Sequence, residues 1–176
     1  EVVMALKVVM ALIDKGAVLN VQDINGVTPL HCACIKNHTE IAMVLINKDA
    51  DVNAIDQNGN TPLHHALRKG HAEVAMAVID QGADVNARDK DGNTPLHKAI
   101  KQDHTELAKA LIEKGANLEI QDKDGKTPLH LAIDEGLTDI TLALIEKGAN
   151  LDVQDENNQT PIYYAIEQIN TEIVQA

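Results

Sequence analysis

One four-residue string returns through this chain at a fixed step of 33 residues. Thr28-Pro29-Leu30-His31 recurs as Thr61–His64, Thr94–His97 and Thr127–His130, and an altered fifth copy stands at Thr160-Pro161-Ile162-Tyr163. Aspartate keeps the same step at Asp23, Asp56, Asp89, Asp122 and Asp155. Glycine keeps it at Gly26, Gly59, Gly92 and Gly125, with Asn158 in the fifth place. A period of this length, free of insertions and deletions, marks stacked supersecondary units, each burying its apolar face only against its neighbours. The complete blocks are 23–55, 56–88, 89–121 and 122–154. Residues 1–22 form the back of a preceding block. Residues 155–176 form the front of a following one, expected to stop inside its second helix.

Within a block the residues specify two helices and a turn. Thr28 suits a helix N-cap and Pro29 the first helical position, where the missing N–H costs nothing. Leu30, Ala33 and Cys34 then share one helical face. A second helix is predicted to start near Thr39 or Glu40, with Ile41, Val44 and Leu45 as its apolar stripe. Gly82, Gly115 and Gly148 end the equivalent helices by accepting a left-handed backbone. Asp49 takes that place in the first block, a junction expected to carry strain. An extended piece such as Asp84–Ala87 follows, and an Asp-x-x-Gly turn leads to the next Thr-Pro. The fold class is therefore all-α repeat, of helix-turn-helix units joined by β-hairpin-like turns.

The 33-residue unit and its Thr-Pro-Leu-His motif resemble the ankyrin repeat across nearly the whole chain. The resemblance implies one ankyrin-repeat solenoid domain over residues 1–176, cut from a longer array. It also implies a non-catalytic module that binds a partner protein through hairpin tips and a concave groove. Two alternatives are a structural spacer or assembly unit, and the targeting domain of a larger enzyme, a host-directed effector among the options. End-to-end stacking in the spacer reading would use Val2, Val3 and Met4.

Composition narrows the partners. With 15 Lys+Arg against 27 Asp+Glu the net charge is −12, which repels nucleic-acid phosphate. There is no Trp and no Phe, and the two tyrosines are Tyr163 and Tyr164, so base stacking is not expected and the core is aliphatic. The apolar start is broken by Lys7 and is too short to span a bilayer. Cys32 and Cys34, two apart on a helix, point to different faces and read as unbridged packing residues, which places the chain in the cytoplasm, a reducing compartment.

Several motifs mimic chemistry. His31, His64, His97 and His130 recur one per layer, and layers about 8–10 Å apart cannot close a zinc tetrahedron. The Asp-Lys-Asp-Gly turns at Asp89–Gly92 and Asp122–Gly125 lack the first and last ligands of a calcium loop. No nucleophile stands with a base in the pattern acyl transfer needs. No enzyme activity, metal or cofactor is expected.

The positions matching the contact surface of ankyrin arrays change character along the chain. The early ones are apolar: Ile24, Val27, Ile35 and Ile55. After Asn58 come the cations Arg68, Lys69, Arg88, Lys90, Lys101, Lys123 and Lys126, and then acids such as Asp134 and Glu156. The expected partner of this monomer is a protein with an apolar anchor beside an acidic stretch.

Overall fold

The computed structural model describes residues 2–175, with side chains over residues 3–169. Among them are ten helices and no strand. They are α1 (Val2–Asp14), α2 (Pro29–Ile35), α3 (Thr39–Asn47), α4 (Pro62–Arg68), α5 (Ala72–Asp80), α6 (Pro95–Lys101), α7 (Thr105–Glu113), α8 (Pro128–Asp134), α9 (Thr138–Glu146) and α10 (Pro161–Gln175). The chain divides into two compact units, Glu1–Lys90 and Asp91–Ala176. In the first, α2 packs on α4, α3 on α5 and α1 on α3. In the second, α6 packs on α8, α8 on α10 and α7 on α9.

The local chemistry follows the repeat. Thr28, Thr61 and Thr94 cap α2, α4 and α6 by accepting the backbone N–H three residues on, and a proline opens each of these helices. The leucine after the proline is buried in all four complete blocks, at Leu30, Leu63, Leu96 and Leu129. Cys34 joins this core as predicted, whereas Cys32 is exposed and packs nothing away: it lies one position off the buried stripe.

The inter-helix glycines behave as their spacing predicts, and Asp49 adopts their left-handed backbone at φ 66°. A second left-handed position, between the two helices, is filled by Asn37, Gly70, Asp103 and Gly136. Its fifth member is Ile169, a β-branched residue for which that conformation is prohibitive. Accordingly the chain does not turn there. The first helix and the start of a second, expected in residues 155–176, are replaced by the single helix α10.

The turns are closed by their aspartates rather than by strands. Asp23 Oδ1 accepts the N–H groups of Asn25 and Val27 at 2.8 and 2.9 Å. Asp56, Asp122 and Asp155 bind the same two positions of their own turns. Successive turns are stitched by one backbone bond each, Gln57 N–H to the Asn25 carbonyl in the first unit and Glu156 N–H to the Asp124 carbonyl in the second. At Gly125 (φ +75°) the approach is so close that an added Cβ would lie 2.6 Å from the Glu156 nitrogen.

Two stability outcomes follow. Leu96→Ala, at a fully buried site, should lower unfolding free energy by about 2–5 kcal/mol in urea titration. Gly82→Ala, left-handed but with open space around it, should cost about 1–2 kcal/mol. Gly125→Ala should cost about 1–3 kcal/mol beyond that from overpacking against the next turn. Equal losses at the two glycines would show that the turns are not in contact.

Candidate functional site: turn tips and first-helix faces

The tips are held rigidly enough to present side chains. Beneath them repeated histidines lock α2 to the following turn in the first unit, and α6 and α8 to theirs in the second. Thr28 N–H and Oγ1 both lie against His31 Nδ1, at 3.1 and 2.8 Å, while Nε2 reaches the Asn60 carbonyl of the next block at 3.0 Å. A backbone N–H can only donate, so Nδ1 is the acceptor and Nε2 carries the proton. His97 and His130 repeat the arrangement toward the carbonyls of Lys126 and Gln159. Burial holds His31 and His130 below the ordinary histidine pKa, against the pull of these carbonyls. The histidines are structural bolts in the neutral state.

Asp56, Asp122 and Asp155 are in turn anchored from their own first helix or a neighbouring one, by a different residue each time. His65 Nε2 lies 2.8 Å from Asp56 Oδ2, and its other nitrogen meets Arg68 at 3.2 Å. Lys101 Nζ bonds Asp122 at 3.0 Å and Asn93 at 2.7 Å. Tyr164 donates its hydroxyl to Asp155 at 2.6 Å. Burial alone would raise these carboxyls; the anchors and the turn N–H groups outweigh it and hold Asp56, Asp122 and Asp155 below the usual range. Desolvation lowers His65 despite its carboxylate partner. His65 and Tyr164 escaped the sequence reading. Both stand at the same place in their blocks, which was the available signal.

Around this frame the proposed contact residues separate by unit. In the first unit Ile24 is 89 % exposed and Ile55 also projects into solvent. Their tips are tied together, Gln22 Nε2 bonding the Ile55 carbonyl and Gln57 Nε2 the Ile24 carbonyl. Asn58, Arg68, Lys69, Arg88 and Lys90 are exposed, while Val27 and Ile35 are half-buried. In the second unit the lysines are engaged by acids. Lys101 is bound as above, Lys123 lies 3.1 Å from Asp91, and Lys126 lies 2.7 Å from Asp134 with its ammonium 4.9 Å over the Tyr164 ring. Burial would lower the Lys126 pKa, but Asp134 outweighs it and raises it. The sequence alone could not separate Lys101, a structural anchor, from Lys90, an exposed tip.

Three copies of the family model for ankyrin repeats match residues 3–89, 79–155 and 120–176. The chain belongs to the ankyrin-repeat family. Ankyrin repeats are protein–protein interaction modules, typically non-catalytic, and this chain is an all-α member built of stacked helix pairs. No curated protein matches it. Among the described residues no three His, Cys, Asp or Glu side chains converge as a metal site. Among the described residues, no helix is long and apolar enough to cross a membrane. The Cys34 thiol, pushed up to about 12 by burial, is not a nucleophile at neutral pH.

The shifts carry a pH dependence. A neutral buried imidazole binds its proton less readily folded than unfolded, so stability falls as pH drops through about 6.5. The depressed aspartates add stability that is present above about pH 3.9 and lost as pH falls through their folded values. The urea midpoint should therefore fall between about pH 7.5 and about pH 5.5, and again below about pH 4. A profile flat from about pH 7.5 to about pH 5.5 would refute the neutral-histidine assignment.

Proposed function

We propose that this ankyrin array binds a partner protein through the tips of its first unit, with Ile24 and Ile55 as the apolar anchor. The observation that carries this reading is the exposure of two isoleucines on adjacent, mutually bonded turns. An exposed, pre-ordered apolar pair loses little entropy on binding and gains from desolvation. Asn58 and the exposed Lys69 and Lys90 belong to the same unit, so an acidic stretch beside the partner's apolar residue suits them and would speed association at low salt. Lys101, Lys123 and Lys126 play a lesser part, because binding through them requires breaking ion pairs within the fold. The exposed Cys32 thiol suits a reducing, cytoplasmic setting.

Selection of peptides from a random library on the immobilised array tests this. Enriched peptides should pair an apolar residue with acidic neighbours. Ile24→Ser with Ile55→Ser should weaken them roughly tenfold or more, and Lys69→Glu with Lys90→Glu should slow association and reduce its salt dependence. Peptides that bind the isoleucine variant with unchanged affinity would refute the reading.

A further inference from the structure

Each turn has a left-handed residue at its fourth position, filled by Gly26, Gly59, Gly92 and Gly125 and, in the fifth turn, by Asn158. The residue before it is Asn25, Asn58, Asp91, Asp124 and Asn157 in chain order. Glycine has no Cβ, so its amide nitrogen is unhindered, and an asparagine just before it offers a side-chain carbonyl carbon within reach of that nitrogen. The turn's need for a left-handed backbone thus sets a reactive Asn-Gly pair at two of the five tips. Asn25 and Asn58 are both exposed. Among the described residues their hydrogen bonds are made by the main chain, which leaves the carboxamides in solvent. Asn20 and Asn53 differ: their Oδ1 atoms accept the N–H groups of Asp51 and Asp84 at 2.8 Å.

The same residue carries the seam between turns. In the first unit the main-chain carbonyls of Asn25 and Asn58 accept the N–H groups of Gln57 and Lys90, each at 2.9 Å. In the second, the carbonyls of Asp91 and Asp124 accept those of Lys123 and Glu156 at 2.8 and 3.2 Å. An aspartate at this position therefore leaves turn and seam intact. Isoaspartate would not. It routes the main chain through the side-chain carbon, inserts a methylene between Cα and the carbonyl, and carries the acceptor away from its donor, leaving that N–H unpaired. Gly26 and Gly59 donate their N–H groups to the carbonyls of Asp23 and Asp56 at 3.0 and 2.9 Å. Attack by either nitrogen needs a brief local opening of its turn, so the fold slows the reaction without forbidding it.

We propose that Asn25 and Asn58 are spontaneous modification sites that deamidate through a succinimide, and that the isoaspartate product cuts the seam to the next turn while the aspartate product preserves it. The glycine nitrogen gives its proton to hydroxide and bonds to Cγ of the asparagine. The Cγ–Nδ2 bond breaks and the side-chain amide leaves as ammonia. Water then opens the ring at one of its two carbonyls. Opening at the side-chain carbonyl gives aspartate, and opening at the main-chain carbonyl gives isoaspartate. Each conversion adds one negative charge to its turn. Asn157 is the internal control. It holds the same register, is exposed, and has its N–H bound by Asp155 at 2.8 Å as Asn58 has by Asp56. Its follower is Asn158, whose side chain hinders the attacking nitrogen, so Asn157 persists.

Ageing the whole chain at mildly alkaline pH, beside a sample unfolded in urea, tests this. Peptide mapping by mass spectrometry, with fragmentation that separates isoaspartate from aspartate, locates the products. In the folded chain conversion should concentrate at Asn25 and Asn58, more slowly than in urea, with Asn157 far behind. The aged chain should lose hydrogen-exchange protection at the Gln57 and Lys90 amides and unfold at lower urea. Asn58→Asp should keep the Lys90 amide protected. Asn25→Gln with Asn58→Gln should age with both amides still protected, which separates this reaction from other damage. An isoaspartate carboxyl methyltransferase with its methyl donor, which sends isoaspartate back through the succinimide, should restore protection. A folded chain that stays unconverted while the unfolded one reacts overturns the proposal. So does conversion at Asn157 as fast as at Asn58, or a loss of Lys90 protection in Asn58→Asp equal to that in the aged chain.

Discussion

Helices of seven and nine residues do not hold together in water on their own, since isolated helices below about 12–15 residues are marginal even for favourable sequences. Every complete block here is made of such a pair. The structure exists because each pair is capped, packed and bolted to the next within its unit. The bolt is an uncharged imidazole that accepts from its own helix cap and donates to the following turn, as His31 does between Thr28 and Asn60. A single side chain thereby fixes helix start, turn position and layer spacing together. Protonation would remove the acceptor and leave the cap unpaired in a buried place.

The parts legible in the sequence were those set by local chemistry. Thr-Pro caps, the leucine and alanine stripes, the turn aspartates and the left-handed Asp49 and Asn158 all depend on residues a few positions away. What stayed hidden depends on partners in the folded chain. Lys101 looked like a tip cation, yet it reaches Asp122, twenty-one residues on. Cys32 looked like a packing residue and faces water. The course of α10 could have been read, because Ile169 occupies a register that Gly70 and Gly136 mark as left-handed, but the exceptions Asn37 and Asp103 blur that register before Ile169 breaks it.

Charge tells a similar story. A chain of net charge −12 carries few cations to spare. In the second unit lysines serve to hold aspartates, at Lys101–Asp122 and Lys126–Asp134. The anchors of the turn aspartates differ from layer to layer, a histidine, a lysine and a tyrosine doing one mechanical task with three different chemistries. The task constrains geometry and leaves residue type open, which is why an acidic array can carry an apolar and cationic face on some of its turns.

The seams between layers are written largely in main-chain atoms. His31, His97 and His130 address the carbonyls of Asn60, Lys126 and Gln159, backbone atoms that any residue at that position supplies. The turn-to-turn stitches are main chain on both sides. A gene segment duplicated, deleted or exchanged in multiples of 33 codons would meet the same acceptor wherever it was spliced in. Such a lineage can lengthen, shorten or shuffle its recognition surface by recombination while the joints go on fitting.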